Sequence, residues 1–170
     1  MKILFILIVT LLTSCTGIPE GITAVDGFEI NRYLGTWYEI ARLDHRFERG
    51  LDNISATYTL RDDGGVDVLN KGRDINAGEW QEAQGKAYFV GQADKGRLKV
   101  SFFGPFYGGY NIIELDKKDY AYSIVTGPDR SYFWILSRTK QLPEATLRGL
   151  INRAKALGFA TDKLIFVTHD

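Results

Sequence analysis

Asn31-Arg32-Tyr33-Leu34-Gly35-Thr36-Trp37-Tyr38-Glu39 is the stretch on which the fold turns. From Gly35 onward the chain becomes a succession of short segments with alternating or β-rich character. Strands are expected near Thr36–Arg42, Ile54–Arg61, Gly65–Lys71, Trp80–Val90, Arg97–Phe102, Tyr110–Leu115, Tyr120–Thr126 and Tyr132–Arg138. The breaks between them are chemical. Asp62-Asp63-Gly64-Gly65, Gly91 to Gly96, Asp116 to Asp119 and Gly127-Pro128-Asp129-Arg130 all favour turns. Eight successive strands with short connections make an up-and-down antiparallel sheet, which removes its exposed edges by closing into a barrel.

Beyond the last strand the period changes. Leu147, Leu150, Ile151, Ala154 and Leu157 recur at helical spacing. Pro143 suits the first helical position and Gly158 the residue just past the end. A stripe of this kind is a packing face, so the helix is expected on the outside of the barrel. Lys163 to Thr168 has the character of a short ninth strand. Upstream of the quoted stretch, Thr16 to Asp26 carries Gly17, Pro19 and Gly21 with no sustained period, and reads as a linker. Fully extended, the twelve residues from Thr16 to Gly27 would reach roughly 40 Å.

With these elements placed, Asn31 to Glu39 resembles the N-terminal Gly-x-Trp motif of lipocalins. Ser137-Arg138-Thr139 falls where lipocalins carry a basic residue at the close of the last barrel strand, ahead of a helix like the one expected here. Tyr33 to Gly50 (YLGTWYEIARLDHRFERG) and Ser101 to Tyr110 (SFFGPFYGGY) are similar to bacterial lipocalins of the outer membrane. The resemblance covers Gly27 to about Val167. It implies an all-β fold, an eight-stranded up-and-down antiparallel lipocalin barrel with a C-terminal α-helix packed outside, and a lipid-like ligand within.

In such a barrel the start of the first strand and the end of the eighth lie at one end, so Trp37 and Arg138 fall at the same mouth. An inward indole with a guanidinium stacked over it closes that mouth, a contact worth about 0.5–2 kcal/mol. The loops around His45–Asn53, Gly72–Glu79, Phe103–Gly109 and Gly127–Ser131 gather at the opposite, open end, where a ligand enters. Alternation from an inward Trp37 puts Ala41 inside, with Glu39 as an inward carboxylate of unknown partner. The apolar pattern, together with similarity to lipocalins, gives a ligand cavity of Ala56, Tyr58, Phe89, Val100, Phe102, Tyr110, Ile112, Ser123, Tyr132, Trp134 and Leu136. Bulky aromatics, small residues and a few hydroxyls suit a long apolar body with one polar end. The alternative is a filled core that binds nothing, since eight strands leave an interior just wide enough for side chains. Against it stands the aromatic loop Phe102 to Tyr107, because apolar surface at a rim marks a contact.

The first fifteen residues differ from the rest. Met1-Lys2 gives a positive start, Ile3 to Leu12 is an almost unbroken apolar run, and Leu12-Thr13-Ser14-Cys15 follows. The run is too short for a bilayer of roughly 30 Å and reads as a signal peptide over residues 1–14. The small residues before the cysteine resemble the bacterial lipobox, in which the thiol takes a diacylglycerol and cleavage leaves Cys15 as the new N-terminus. Residues 15–27 are then a lipidated N-terminus and linker, and 28–170 the lipocalin domain. Several acyl chains on one residue anchor stably. Thr16 is not the aspartate that typically retains such lipoproteins in the inner membrane, so an outer-membrane anchor with the domain facing the periplasm is expected.

Composition excludes other classes. Lys+Arg and Asp+Glu are both 21, and losing Lys2 with the signal leaves 20 against 21, a mature charge of −1. No basic field exists to attract nucleic acid. Cys15 is the only cysteine, so the domain holds no disulfide, no thiol nucleophile and no thiolate metal ligand once it is capped. Two histidines, His45 and His169, argue against a zinc or haem site, and no cofactor is expected. His45 could pair with Asp44, but nothing marks a serine for an acyl-ester hydrolase. An envelope structural or partner-binding lipoprotein is the remaining class, and a homodimer is left open.

Overall fold

The structure is a computed structural model that describes residues 16–170; the expected signal segment and Cys15 lie outside the described residues. Eight antiparallel strands form the body: β1 (Gly35–Arg42), β2 (Leu51–Leu60), β3 (Val66–Asp74), β4 (Trp80–Phe89), β5 (Arg97–Phe103), β6 (Phe106–Leu115), β7 (Tyr122–Thr126) and β8 (Phe133–Ser137). Each pairs with the next, and β1 bonds to β2 through Gly35–Tyr38 and to β8 through Tyr38–Arg42. The ring is therefore closed. A two-residue strand β9 (Ile165–Phe166) adds to the Ala41–Arg42 segment of β1. β2 and β6 begin earlier than side-chain alternation indicated, because ladder pairing runs on through Asp52 and through Gly108 and Gly109, which carry no alternation of their own.

The helix α2 (Glu144–Ala156) starts directly after Pro143 and ends before Gly158, whose φ of 84° suits a residue without a Cβ. Its buried Leu150 and Ala154, with Leu147, Ile151 and Leu157, pack on the outward faces of Ile113, Ile124, Phe133 and Ile135. Strands β1, β6, β7 and β8 are thereby covered on both sides, whereas the outer face of β4 stands in water.

Two bulges under α2 adjust the pattern, at Ile40 in β1 and at Ile113 in β6. The first overturns the expectation that Ala41 points inside. An extra residue shifts the parity of everything after it, so Ile40 and Ala41 both join the layer beneath α2 while the buried Arg42 sits opposite the cavity residue Trp134.

Two features had no readable period. A single helical turn, α1 (Ile30–Tyr33), lies across the closed end with Tyr33 buried against Trp37, ring centroids 4.5 Å apart. The stretch expected to be a free linker is instead a strap on the barrel wall. Val25 N–H donates to Ile112 O at 2.9 Å, Gly96 N–H to Val25 O at 2.9 Å, and Ile22 is buried in the layer beside α2. Isolated apolar residues hold it, too widely spaced to form a pattern in sequence.

Candidate functional site

The closed end is built first. Trp37 is fully buried and its Nε1–H donates to Tyr33 O at 2.8 Å. The guanidinium carbon of Arg138 sits 4.0 Å from the indole centroid. That guanidinium also donates to the backbone oxygens of Arg32 at 2.8 Å, Thr36 at 3.0 Å and Tyr120 at 3.3 Å. One side chain thus ties α1, β1 and the β6–β7 turn together over the indole.

Above this floor the barrel is hollow. A cavity of about 110 Å³ is several times the roughly 10–15 Å³ that one water needs. Its wall is mostly apolar: Ala56, Tyr58, Val66, Val68, Ala87, Leu98, Val100, Phe102, Tyr110, Val125, Trp134 and Leu136, with Phe28, Ile30 and Tyr33 below. Gly85 allows the Phe102 ring to lie across β4; a Cβ there would come within 2.8 Å of it.

Two polar groups face this space. The first is a hydroxyl chain: Tyr58 to Tyr110 at 2.8 Å, Tyr110 to Tyr33 at 2.9 Å, and Tyr33 to Ser123 at 3.3 Å. Burial pushes Tyr33 up to about 12 and holds Tyr58 and Tyr110 well above the ordinary phenol range, so all three stay protonated. Three links among four hydroxyls leave one O–H for a ligand oxygen.

The second is an ionic cluster on the β1 side. Arg42 donates to Glu39 Oε1 at 2.9 Å and to Glu48 O at 3.0 Å, and Trp134 Nε1–H donates to Glu48 Oε2 at 3.0 Å. His45 Nε2 lies 3.0 Å from Glu48 Oε2, close enough for charge contact but off the line of a hydrogen bond. Burial, and then the charge of Glu48, push the Glu39 carboxyl well above its usual range against the pull of Arg42. Burial raises Glu48 too, but the combined pull of His45, Trp134 and Glu39 holds it below its usual range. Both carboxyls line the cavity.

Residues 28–169 match the lipocalin-like domain family. The chain belongs to the lipocalin family. It is 52% identical over 168 residues to the outer membrane lipoprotein Blc of Vibrio cholerae, covering 98% of each chain. It is 55% identical over 149 residues to the Escherichia coli K12 protein of the same name, covering 88% of this chain and 84% of that one. Among solved structures, insecticyanin of the tobacco hornworm Manduca sexta superposes with a TM-score of 0.73 at 23% identity, over 91% of this chain and 88% of that one, and so shares the fold.

In this lipocalin, seven residues expected in the cavity line it: Ala56, Tyr58, Val100, Phe102, Tyr110, Trp134 and Leu136. Four do not, because other side chains cover them. Phe89 packs on Phe28 near the floor, centroids 6.2 Å apart. Ile112 and Ser123 are fully buried in the packed wall beside the lining residues Val125 and Leu136, with the Ser123 hydroxyl bonded to that of Tyr33. Tyr132 precedes β8 and stacks on Trp134 at the rim, centroids 6.3 Å apart. Asp44 does not serve His45; it pairs with Arg49 at 2.7 Å. His45 is buried, and its ring neighbours among the described residues are Phe47, Tyr132 and Trp134. Sequence reasoning missed Arg42 and Glu48, since one needs the bulge and the other a folded loop. Val66, Val68, Ala87 and Leu98 were open to it, because they follow strand parity.

Proposed function

We propose that this lipocalin carries single-chain amphiphiles, fatty acids or lysophospholipids, for storage or transport in the cell envelope. In this reading residues 1–14 are removed, acylated Cys15 tethers the protein to the outer membrane, and the domain at 28–170 works on the periplasmic side. Ligand holding, not turnover, is its role. The single observation that carries this is the mostly apolar cavity with a carboxyl-bearing cluster on one wall. Similarity to outer membrane lipoproteins over nearly the whole chain supports the location.

An acyl tail of about fifteen methylenes gains on the order of 12 kcal/mol gross at about 0.8 per methylene, and association costs take a large share. Micromolar binding therefore needs no strong polar anchor, and the polar cluster selects the head. Glu39 and Glu48 present two carboxyls, while Arg42 is already engaged. Glu48 is the one that stays charged, so a free fatty carboxylate meets an anion there, whereas an ethanolamine ammonium finds a partner.

The test is titration of the protein comprising residues 16–170 with lysophosphatidylethanolamine and with palmitate, read by quenching of Trp134. Both should bind, the lysolipid more tightly, and Glu48→Gln should narrow the difference. Lack of quenching by either ligand would sink the carrier reading.

A further inference from the structure

Apolar side chains stand in water mainly at one pole. Phe47 (57% exposed), Ile75 (60%), Trp80 (54%), Phe103 (72%) and Phe106 (78%) come from three different loops or strand ends around the open mouth. The turns at the closed end are instead polar, with Asp62, Asp63, Lys117, Lys118 and Asp119 outermost. No local sequence rule makes three separate connections apolar together, and a hydrophobic ring in water lowers solubility for nothing unless it is covered.

Cations accompany the ring. The Arg46 guanidinium lies 5.0 Å from the Phe47 centroid, Lys71 Nζ 5.0 Å from that of Trp80, and Lys99 Nζ 4.8 Å from that of Tyr107. Aromatic bodies beside snorkelling cations are the chemistry of a membrane–water interface with anionic headgroups.

The strap supplies the second, independent observation. It does not carry the N-terminus away from the barrel but brings it back to the same pole. Asn111 Nδ2 donates to Gly17 O at 2.9 Å, and Arg130, in the β7–β8 loop, donates to Glu20 O at 2.8 Å. Gly109 admits this approach, since a Cβ there would lie 2.6 Å from Gly17 O. Cys15 is joined to Thr16 within about 3.8 Å, Cα to Cα. The first described residues of the strap therefore lie beside the open rim, so in the acylated reading one peptide bond separates them from the anchor.

We infer that the open mouth docks directly on the bilayer that holds the anchor, with Phe47, Ile75, Trp80, Phe103 and Phe106 in the interface, so that ligand passes between bilayer and cavity without crossing water. This rests on the acylated-carrier reading above and adds orientation and route to it. A second copy of the chain would also cover apolar side chains, but it would not account for the strap's first residues lying at this pole.

The experiment uses the mature lipidated protein, its acylation verified by mass spectrometry, reconstituted in vesicles of three parts phosphatidylethanolamine to one of phosphatidylglycerol. A nitrobenzoxadiazole label is placed through Ile75→Cys or, at the other pole, through Asp62→Cys. The rim label should shift to the blue and be quenched by a doxyl-labelled phospholipid, while the Asp62 label stays in water. Phe103→Asp with Phe106→Asp should reverse both signals and slow vesicle-to-vesicle transfer of a fluorescent lysolipid several-fold. Equal water exposure of both labels overturns the inference. So does a rim label buried only by self-association in the absence of vesicles. Fatty-acid binding by the unlipidated 16–170 protein is measured alongside: binding with an exposed rim refutes docking and leaves the carrier standing, and a docked rim without binding does the reverse.

Discussion

Replacing Ala56 by phenylalanine tests whether the barrel interior is where ligand sits. Ala56 lies opposite Trp37 on β1 and Asn70 on β3, in the cavity wall beside the indole that closes the floor. A phenyl ring there projects into a space of about 110 Å³ and displaces some five methylenes of an acyl tail. At about 0.8 kcal/mol each the loss is roughly 4 kcal/mol, near a thousandfold in Kd. The ring itself gains about 1.5–3 kcal/mol on burial, offset by packing strain of about 1–3 kcal/mol. Stability should therefore stay within about 2 kcal/mol of wild type, and at about 2–4 °C per kcal/mol for a chain of this size the Tm moves by a few degrees at most in either direction. The assay pairs lysolipid titration by Trp134 quenching with thermal unfolding by circular dichroism. An unchanged affinity in a variant with native Tm would refute the cavity as the binding site. Loss of affinity with loss of fold would refute the claim that the space is empty.

Arg138→Ala should do the opposite, lowering stability by roughly 2–4 kcal/mol through the lost indole contact and carbonyl hydrogen bonds, discounted for partial exposure, while leaving lysolipid affinity intact; a changed Kd at constant Tm would contradict the assignment of closure. Glu39→Gln should flatten the pH profile. A carboxyl whose folded pKa is raised keeps its proton after the unfolded chain has lost one, so its contribution to stability falls as pH rises above the ordinary value of 4.5. The variant should gain Tm over wild type across that range, and parallel Tm–pH curves would defeat the assignment. Asn111→Ala removes the donor to Gly17 O and Gly127 O, and should speed proteolysis and hydrogen exchange of residues 16–21 with little change in barrel Tm. Unaltered protection there would show that the strap is held by its apolar residues alone.

The barrel was legible because its causes are local. Alternation, turn chemistry and a helical stripe each reside within a dozen residues, and Trp37 and Arg138 mark the ends of a chain path whose direction reverses at every turn. The cavity was half legible. Parity told which side chains face inward, and so gave Ala56, Tyr58, Val100 and Leu136, but it does not tell which of them others cover, so Phe89, Ile112 and Ser123 were placed in a cavity that they do not line.

What sequence alone determined was strand number, helix and candidate anchor, each a property of neighbours along the chain. Tertiary structure decided the rest. The bulge at Ile40 swaps Ala41 for Arg42 in facing the interior, and only then does Glu39 acquire a partner. The strap's course and the gathering of Phe47, Ile75, Trp80, Phe103 and Phe106 around one mouth depend on contacts between residues far apart in sequence, which no local period encodes.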